Sequence, residues 1–378
     1  MQDARSLPAT RSTTHTGTDT SGRRASPWSL VRATLFLADV LAVIPLRPLA
    51  WLTRAPDRQQ ITFEGAGGAY VGRLYRPAGS GRRAGVVLFL GAAQAGPDDP
   101  RVDRLADGLA RSGFVTLMCW SDAMRDGTIE PDDLDLLVAA FEHLSRRPEV
   151  DPARTGFASF CVGASYALVA AARPSIAERV SFVAAFGPFY AGRDMLRAMA
   201  TNQAFSEGSS REWRVAWQKH TDSRFQYERV LLDALEDEAE RGRVADAFQQ
   251  AAPEPEGLSP AASAVYRLLP GAPFDGSERL IEQLPSPLLA RMDRVSPRGQ
   301  LDGLRAEVLV IHSTGDELIP VEESRRLVDA LRTRVPTTYS ELTMFEHTHV
   351  AGATRVGTIA REFARLAVDL QVLLRYAG

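Results

Sequence analysis

Cysteine is scarce in this sequence, with two residues, Cys119 and Cys161, among 378. Two thiols cannot form a disulfide framework, so a reducing, cytoplasmic compartment is the simpler expectation. An excess of charge of one sign is also missing, because the net charge is −3 at pH 7. A nucleic-acid-binding protein usually presents a basic face, so we expect no nucleic-acid partner.

Motifs for a metal ion or a cofactor are missing as well. The Cys and His residues do not have the spacing of a metal site, and there is no G-x-x-x-x-G-K-S/T phosphate loop. The hydrophobic content of 45% and the charged content of 24% are ordinary for a globular protein. We therefore expect a globular chain with no cofactor and no metal.

A hydrophobic run long enough to cross a membrane is not present. Residues 28–53 are mostly apolar, but Asp39 interrupts the run and Pro45 ends it after about a dozen mostly apolar residues, whereas a spanning helix needs about 20. The pattern favours a helix packed on the protein, or a helix lying on a membrane surface, over a spanning or secretory segment. We therefore predict a disordered tail over 1–27, rich in Thr, Ser and Arg, and a hydrophobic helical segment over 28–57.

From about residue 58 the sequence alternates between strands and helices. Continuous apolar runs such as GVVLFLG (85–91) and FVTLMCW (114–120) are typical of strands buried on both faces. Amphipathic helical patterns follow them, for example over 98–113. We predict an α/β fold with a mostly parallel sheet and helices on both faces, formed by residues 58–190 and 298–378. The block 191–297 is helix-prone. We expect most of its aromatic residues to be buried in a core of its own.

Cys161 stands at the junction between a β-prone run (155–160) and a helix-forming run (165–171). Small residues flank it, with Ser159 two positions before and Gly163 two positions after. A sharp strand-to-helix turn requires such residues, because larger side chains would clash there. The turn lifts the central side chain above the sheet, where the first N–H groups of the helix stabilise a thiolate or an oxyanion. Ser165, in GASYA, is a weaker nucleophile candidate, and a buried, inactive cysteine is the alternative interpretation.

The elbow FCVG resembles that of the α/β-hydrolase superfamily, and most closely the dienelactone hydrolase group, whose cysteine nucleophile lies in G-x-C-x-G-G. This sequence differs by Ser159 at the first glycine and Ala164 at the last, both small. The resemblance implies an α/β-hydrolase fold with a triad in the chain order nucleophile, acid, histidine. It also implies that the insertion over 191–297 is a helical lid.

The resemblance places the acid just beyond the penultimate strand, where IHSTGDELIP offers Asp316, with Glu317 as the nearest substitute. It places the base just after the last strand, where FEHTHV offers His349 and His347, and a loop position past the strand end favours His349. The remaining histidines are set aside because of their predicted positions in the tail, on a helix, in the insertion and inside a strand: His15, His143, His220 and His312.

The oxyanion hole implied by the resemblance uses the N–H of Val162 and an N–H from the loop GAAQAG, at Ala92, although Leu90-Gly91 replaces the usual His-Gly pair. We therefore expect a hydrolase of esters, lactones or thioesters, with a small-molecule acyl substrate and a covalent acyl-enzyme. An acyltransferase or cyclase with the same triad, and a non-catalytic binding protein, are the alternatives. Contact of residues 28–53 with a membrane surface is a further candidate interaction, and the oligomeric state has no signature in the sequence.

Overall fold

The structure is a computed structural model that describes residues 27–41, 47–91, 96–207, 212–217, 221–343, 345–346, 349–350 and 356–378. The strands are β1 (Asp57–Gly65), β2 (Gly68–Arg76), β3 (Arg83–Phe89), β4 (Phe114–Cys119), β5 (Val150–Phe160), β6 (Phe182–Phe186), β7 (Gln203–Glu207), β8 (Glu212–Ala216), β9 (Glu307–Ser313), β10 (Thr337–Leu342), β11 (Phe345–Glu346) and β12 (His349–Val350). The helices are α1 (Pro27–Val40), α2 (Pro48–Leu52), α3 (Pro100–Arg111), α4 (Asp122–Arg125), α5 (Asp133–Ser145), α6 (Val162–Ala171), α7 (Gly192–Thr201), α8 (Thr221–Asp233), α9 (Glu238–Gln249), α10 (Pro260–Leu268), α11 (Phe274–Glu282), α12 (Ser286–Val295), α13 (Val321–Arg332) and α14 (Val356–Leu374).

Eight strands form one sheet in the order β1-β2-β4-β3-β5-β6-β9-β10. The pairs β1–β2 and β2–β4 are antiparallel, and every other pair in this sheet is parallel. The inner strands β3 and β4 are almost entirely buried, as continuous apolar runs predict. The expected mostly parallel sheet is confirmed.

Helices cover both faces of this sheet because both faces are apolar. On one face, α5, α6 and α13 bury residues such as Phe141 and Tyr166 against the strands. On the other face, α3 and α14 bury residues such as Leu109 and Leu374. Asp99 caps the start of α3 by accepting a hydrogen bond from Arg101 N at 2.8 Å, ahead of Pro100. The two layers hold the strands in a fixed frame.

The carboxyl ends of the parallel strands lie at one edge of the sheet. Gly91 follows β3, Cys161 follows β5, Gly187 follows β6 and Asp316 follows β9. Ligands of open α/β sheets bind at this edge, where the loops from neighbouring strands meet. The topology therefore brings together residues that are more than 200 positions apart in the sequence.

An inserted segment connects β6 to β9 and contains α7 to α12. It has an apolar core of its own, with Leu231, Val265 and Leu288 among its buried residues. Its two ends are adjacent, because Gly192 N donates to Ser296 Oγ at 2.8 Å. The hairpin β7–β8 was not predicted, since this block reads as helix-prone.

The aromatic residues of the inserted segment divide between core and surface. Tyr227 and Phe274 are buried, as expected, and Tyr266 and Phe248 are half-buried. Phe225 is exposed, whereas most of these residues were expected to fill the core. Its position on the outer side of α8 explains the difference, because that helix buries Tyr227 and Leu231 instead.

The hydrophobic N-terminal segment folds as α1 and α2, with α1 packed on α3 and α14. Phe36 and Leu37 of α1 are buried in that layer. Asp39, which interrupts the apolar pattern, is fully buried and accepts hydrogen bonds from Arg47 Nη2 (3.1 Å) and Leu49 N (3.2 Å). This carboxylate fastens α2 to the end of α1. Across the described ranges, no helix is both long enough and apolar enough to cross a membrane.

Candidate active site

Cys161 lies in a sharp turn between β5 and α6. Its backbone has φ +55° and ψ −138°, a conformation that residues other than glycine rarely adopt. The N–H of Cys161 donates to Phe186 O at 2.7 Å, so β6 holds the strained turn in place. The side chain is partly exposed at the carboxyl edge of the sheet. The strand, turn and helix expected around Cys161 are thus present.

The turn requires small residues around Cys161, because larger side chains would come too close to neighbouring atoms. A Cβ added at Gly163 would lie 3.0 Å from Ser159 Oγ, and one added at Gly91 would lie 2.6 Å from Phe160 O. Ser159 replaces the first glycine of the family motif without penalty, because its buried hydroxyl donates to Phe89 O at 2.6 Å. Ala164, which replaces the last glycine, is also buried. Both departures from the motif are therefore compatible with the turn.

Gly91 brings the end of β3 against the elbow. A Cβ on this residue would lie 2.9 Å from Cys161 Cβ and 3.1 Å from Val162 N. Val162 is the first residue of α6, so its N–H lies at the positive end of the helix dipole. Ala92, the second expected oxyanion donor, lies outside the described residues.

Ser165 is fully buried in α6, and its hydroxyl already has two partners. The Oγ donates to Phe189 O at 2.8 Å and accepts from Phe189 N at 2.9 Å. The hydroxyl therefore joins α6 to the chain beyond β6. Ser165 has a structural role, and the interpretation of Ser165 as the nucleophile is wrong.

The carboxylate of Asp316 is buried and held in one orientation. Oδ1 accepts hydrogen bonds from Leu318 N at 2.8 Å and Ile319 N at 2.9 Å. Oδ2 faces Gly187, where an added Cβ would be 3.5 Å away. Cys161 N bonds to Phe186 O at the end of β6, the strand that lies between β5 and β9, so the thiol and the carboxylate follow strands on either side of β6. Glu317, the expected substitute, is more exposed than Asp316.

His312 supports the Asp316 loop, which sequence analysis did not predict. It is buried in β9, with Nδ1 2.6 Å from Ser324 Oγ and Nε2 2.9 Å from Ile319 O. A carbonyl oxygen only accepts, so the contact with Ile319 O assigns a proton to Nε2. Nε2 also lies 3.4 Å from Asp316 Oδ2. The signal in the sequence was a histidine inside an apolar strand, four residues before an aspartate.

Trp217 links the inserted segment to the same loop. Its indole N–H donates to the backbone oxygen of Asp316 at 2.9 Å, and the side chain is buried. Trp217 directly follows β8, the second strand of the unpredicted hairpin. Through Trp217, the hairpin β7–β8 is therefore in contact with the Asp316 loop.

The two candidate bases follow β10 in the chain. His349 begins the short strand β12, and its partner across the turn is Glu346 of β11. The segment is therefore a small hairpin in place of the expected loop. His347 lies outside the described residues.

Burial perturbs two further groups at this edge of the sheet. Burial raises the pKa of the Cys119 thiol. Burial also raises the pKa of Asp133 to about 6, with a hydrogen bond from Ser121 acting in the opposite direction. In the part of the chain that the structure describes, no group of three or more His, Cys, Asp or Glu side chains is arranged to hold a metal ion.

No protein-family model matches the sequence, and no curated protein matches it either. Among solved structures, the chain is similar to the esterase domain of a Rhodothermus marinus protein, with 16% identity over 85% of this chain and 100% of that one, at a TM-score of 0.46. It is similar to a Pyrobaculum calidifontis esterase, with 16% identity over 91% of this chain and 89% of that one, at a TM-score of 0.47. It is also similar to a thermostable carboxylesterase from a metagenomic library, with 15% identity over 92% of this chain and 95% of that one, at a TM-score of 0.48.

These identities and TM-scores are low, so the fold is assigned from the strand order and the elbow. The eight-stranded sheet, with its first two pairs antiparallel and the rest parallel, carries the strand–Cys161–helix turn at its carboxyl edge. The chain has an α/β-hydrolase fold.

Proposed function

We propose that this protein is a cysteine-dependent hydrolase of esters, lactones or thioesters, with Cys161 as nucleophile, His349 as base and Asp316 as the acid that orients the base. His347 is the alternative base. The proposal combines the resemblance of the elbow to the dienelactone hydrolase group with the positions of Cys161 and Asp316 at the carboxyl ends of β5 and β9, on either side of β6.

The strained backbone of Cys161 is the observation that carries the proposal. A non-glycine residue in such a conformation costs about 1–3 kcal/mol, and glycine would remove most of that cost. The thiol is also partly exposed, whereas Cys119 is buried. A cysteine that only filled space would need neither the strain nor the exposure.

The proposed reaction begins when His349 accepts the proton of Cys161 Sγ. The thiolate attacks the acyl carbon, and the carbonyl electrons move to the oxygen, which accepts hydrogen bonds from the N–H groups of Val162 and Ala92. Collapse of this intermediate expels the alcohol or thiol, protonated by the histidine, and leaves a thioester on Cys161. Water, deprotonated by the same histidine, then attacks the thioester and releases the carboxylic acid and the free thiol.

Asp316 supports this cycle from its fixed position. Two backbone N–H groups hold Oδ1, which supports Oδ2 as the oxygen that accepts the hydrogen bond of the base. A carboxylate hydrogen-bonded to the imidazole selects its tautomer and stabilises the imidazolium that forms during attack. Asp316 would remain ionised throughout.

The substrate class follows from the leaving group. A thiolate leaves a tetrahedral intermediate more readily than an amine does, so esters, lactones and thioesters are favoured over amides. The inserted segment is proposed to act as a lid, with Trp217 lying over the Asp316 loop. A cover of this kind excludes water from the acyl-enzyme until the leaving group has departed.

Alkylation of Cys161 by iodoacetamide across a pH series, read by mass spectrometry, tests the nucleophile. Cys119 is the internal control, because its buried thiol should label slowly at every pH. We expect Cys161 to label with an apparent pKa below the free-thiol value of about 8.5. Slow labelling at Cys161, unchanged by His349→Ala or His347→Ala, would contradict an activated nucleophile.

Hydrolysis of small aryl esters and acyl thioesters tests the reaction itself. Cys161→Ala should lose all activity, and the matched control Cys119→Ala should retain it. The histidine whose alanine variant raises the apparent pKa of Cys161 is the base. Activity retained by Cys161→Ala would overturn the mechanism.

A further inference from the structure

The outward face of α1 is apolar and carries no charge. Every exposed residue of this helix is uncharged, and Trp28, Leu30 and Val31 are 75%, 38% and 47% exposed. The opposite face packs on α3 and α14, so both sides of the helix are apolar. A helix that is apolar all round is normally covered on every side. One side of α1 has no cover from the residues that the structure describes.

The apolar surface extends beyond α1. In α2, Trp51 and Leu52 are 70% and 69% exposed. Asp39 holds the start of α2 against the end of α1. On α14, Val368 is 54% exposed, one helical turn from Gln371, which accepts a hydrogen bond from Ser29 Oγ at 3.4 Å. The helices α1 and α2 together form a helical hairpin. We call its exposed residues Trp28, Leu30, Val31, Trp51 and Leu52 the hairpin surface.

Within residues 27–41 and 47–54, the exposed charge is positive and belongs to Arg54, since Arg32 is partly buried and Arg47 is paired with Asp39 and Asp107. Residues 27–41 and 47–54 contain three arginines, Arg32, Arg47 and Arg54, and one acidic residue, Asp39. Asp39 is fully buried, whereas Arg54 is exposed. The hairpin therefore presents apolar side chains together with positive charge and no negative charge.

From this arrangement we infer that the hairpin surface docks the protein on an anionic phospholipid membrane. Tryptophan is enriched at membrane interfaces because its ring is apolar and its N–H is polar. Positive side chains next to such anchors are attracted to anionic headgroups. An apolar surface with basic residues at its edge matches this combination, and the helix lies on the membrane without spanning it.

Two other occupants fit less well. A stable interface between two protein copies takes roughly 20–30 residues from each side, and the hairpin surface offers five exposed apolar side chains. The preceding residues 1–26 are rich in Thr, Ser and Arg, with Met1 and Leu7 as their large apolar residues. Such a composition supplies little apolar surface with which to cover α1.

Sedimentation of the full chain with vesicles tests the inference. Vesicles of phosphatidylcholine mixed with phosphatidylglycerol should bind the protein, and pure phosphatidylcholine should bind it more weakly. Raising the salt concentration should weaken binding, because exposed charges are screened. Arg54→Gln should weaken binding to the anionic vesicles about fivefold.

The double variant with Trp51→Ser and Leu52→Ser should bind the anionic vesicles at least about tenfold more weakly than the parent. Trp28→Ser should act in the same direction, with the thermal melting curve as the check on folding. Phe225→Ser is the matched control, because Phe225 is similarly exposed on the inserted segment, at 66%, and this variant should bind like the parent. Hydrolysis of a soluble ester should be unchanged in all of these variants, which separates this inference from the proposed function.

Two results would overturn the inference. One is the absence of binding to anionic vesicles at low salt by the folded parent chain. The other is a dimer, detected by light scattering, that Trp51→Ser and Leu52→Ser dissociate while vesicle binding is absent. The second result would assign the surface to contact between copies of this chain.

Discussion

At the scale of single residues, the strain at Cys161 has a measurable cost. The backbone there has φ +55°, where glycine is relaxed and alanine is not. We expect Cys161→Gly to be more stable than Cys161→Ala by about 1 kcal/mol, after the larger chain entropy of glycine is deducted. Urea unfolding of the two thiol-free variants measures the difference. Equal stability would mean that the turn stores no strain.

His312 is expected to act as a positioning residue for Asp316. Its Nε2 bonds Ile319 O and lies near Asp316 Oδ2. In His312→Gln the side-chain amide can still donate to Ile319 O, whereas in His312→Leu it cannot. The leucine variant should therefore raise the apparent pKa of Cys161 and lower kcat about tenfold or more, with little change in KM.

The glutamine variant should restore most of the parent behaviour. A purely structural role for His312 would lower the melting temperature of both variants without moving the Cys161 titration. That outcome would mean that His312 does not position Asp316 for the reaction.

Single residues were also where sequence analysis succeeded and failed most clearly. The turn at Cys161 was predictable, because Ser159 and Gly163 mark a strand-to-helix junction by size alone. The supporting contact of His312 was not, because the histidine was set aside as a residue inside a strand, and the loop that brings Asp316 and Ile319 back to it has no pattern of its own. The roles of Asp316, His349 and Ala92 remain predictions from family resemblance.

At the scale of elements, Asp107 joins three segments. Its fully buried carboxylate accepts hydrogen bonds from Arg47 (2.8 Å), Arg58 (2.8 Å) and Arg111 (2.6 Å). These arginines precede α2, lie on β1 and end α3. Burial alone would raise the pKa of Asp107, but the hydrogen bonds from Arg111 and Arg58 outweigh it and keep the pKa below its usual value.

We expect Asp107→Asn to destabilise the fold by about 3 kcal/mol, because the buried guanidinium of Arg111 loses its counter-charge. Arg47 and Arg58 are each more than a third exposed, so solvent screens their loss. The parent should lose this stabilisation as pH falls through the lowered pKa of Asp107, since the group contributes only when ionised. Chemical unfolding at pH 7 measures the first effect. Asp103→Asn, at a partly exposed carboxylate also bonded to Arg58, is the control and should cost much less.

Trp217 makes the position of Asp316 depend on the hairpin β7–β8. Trp217→Phe keeps the aromatic packing but removes the indole N–H that Asp316 O accepts. We expect a loss of about 1 kcal/mol in stability and a fall in kcat for ester hydrolysis. Phe274→Leu, in the core of the same insertion, is the comparison. It should change stability without changing kcat.

The elements of the sheet were predictable because each has a local pattern. The run 114–120 was predicted as a strand, and β4 has those bounds to within one residue. The helix after the elbow begins at Val162 instead of 165, since the turn occupies only Cys161. The hairpin β7–β8 was missed because its strands have five residues each and form a separate two-stranded sheet, so no longer strand pattern marks them.

At the scale of the whole molecule, the buried Asp133 should make stability depend on pH. Its native pKa of about 6 exceeds the ordinary value of 3.8. The native state therefore retains a proton that the unfolded chain releases, and stability falls as pH rises from about 4 to about 6. Above that range the full cost of the buried charge remains, on the order of 3 kcal/mol.

Asp133→Asn removes this cost. We expect the variant to be more stable than the parent at pH 8 and equally stable below pH 3.8, as measured by unfolding in urea across the pH range. Asp132→Asn, at the exposed neighbouring carboxylate, should show no such difference. A stability gain for Asp133→Asn that is the same at all pH values would contradict the assignment to a buried charge.

The overall architecture was predictable because alternation of strands and helices leaves few topologies for a parallel sheet. What the sequence could not supply is the arrangement of parts that share no pattern. The contact of Trp217 with Asp316 and the packing of α1 on α14 each join segments more than about 90 residues apart. Such contacts depend on the completed sheet.

The adjacent ends of the inserted segment make it a module that can be exchanged. Gly192 and Ser296 are joined by a hydrogen bond, and Arg298 N donates to Tyr190 O at 3.0 Å. A short glycine-rich linker would close this gap at a small entropic cost. Grafting insertions of other lengths between these two points offers a library in which the inserted segment varies while the strand order of the sheet stays constant.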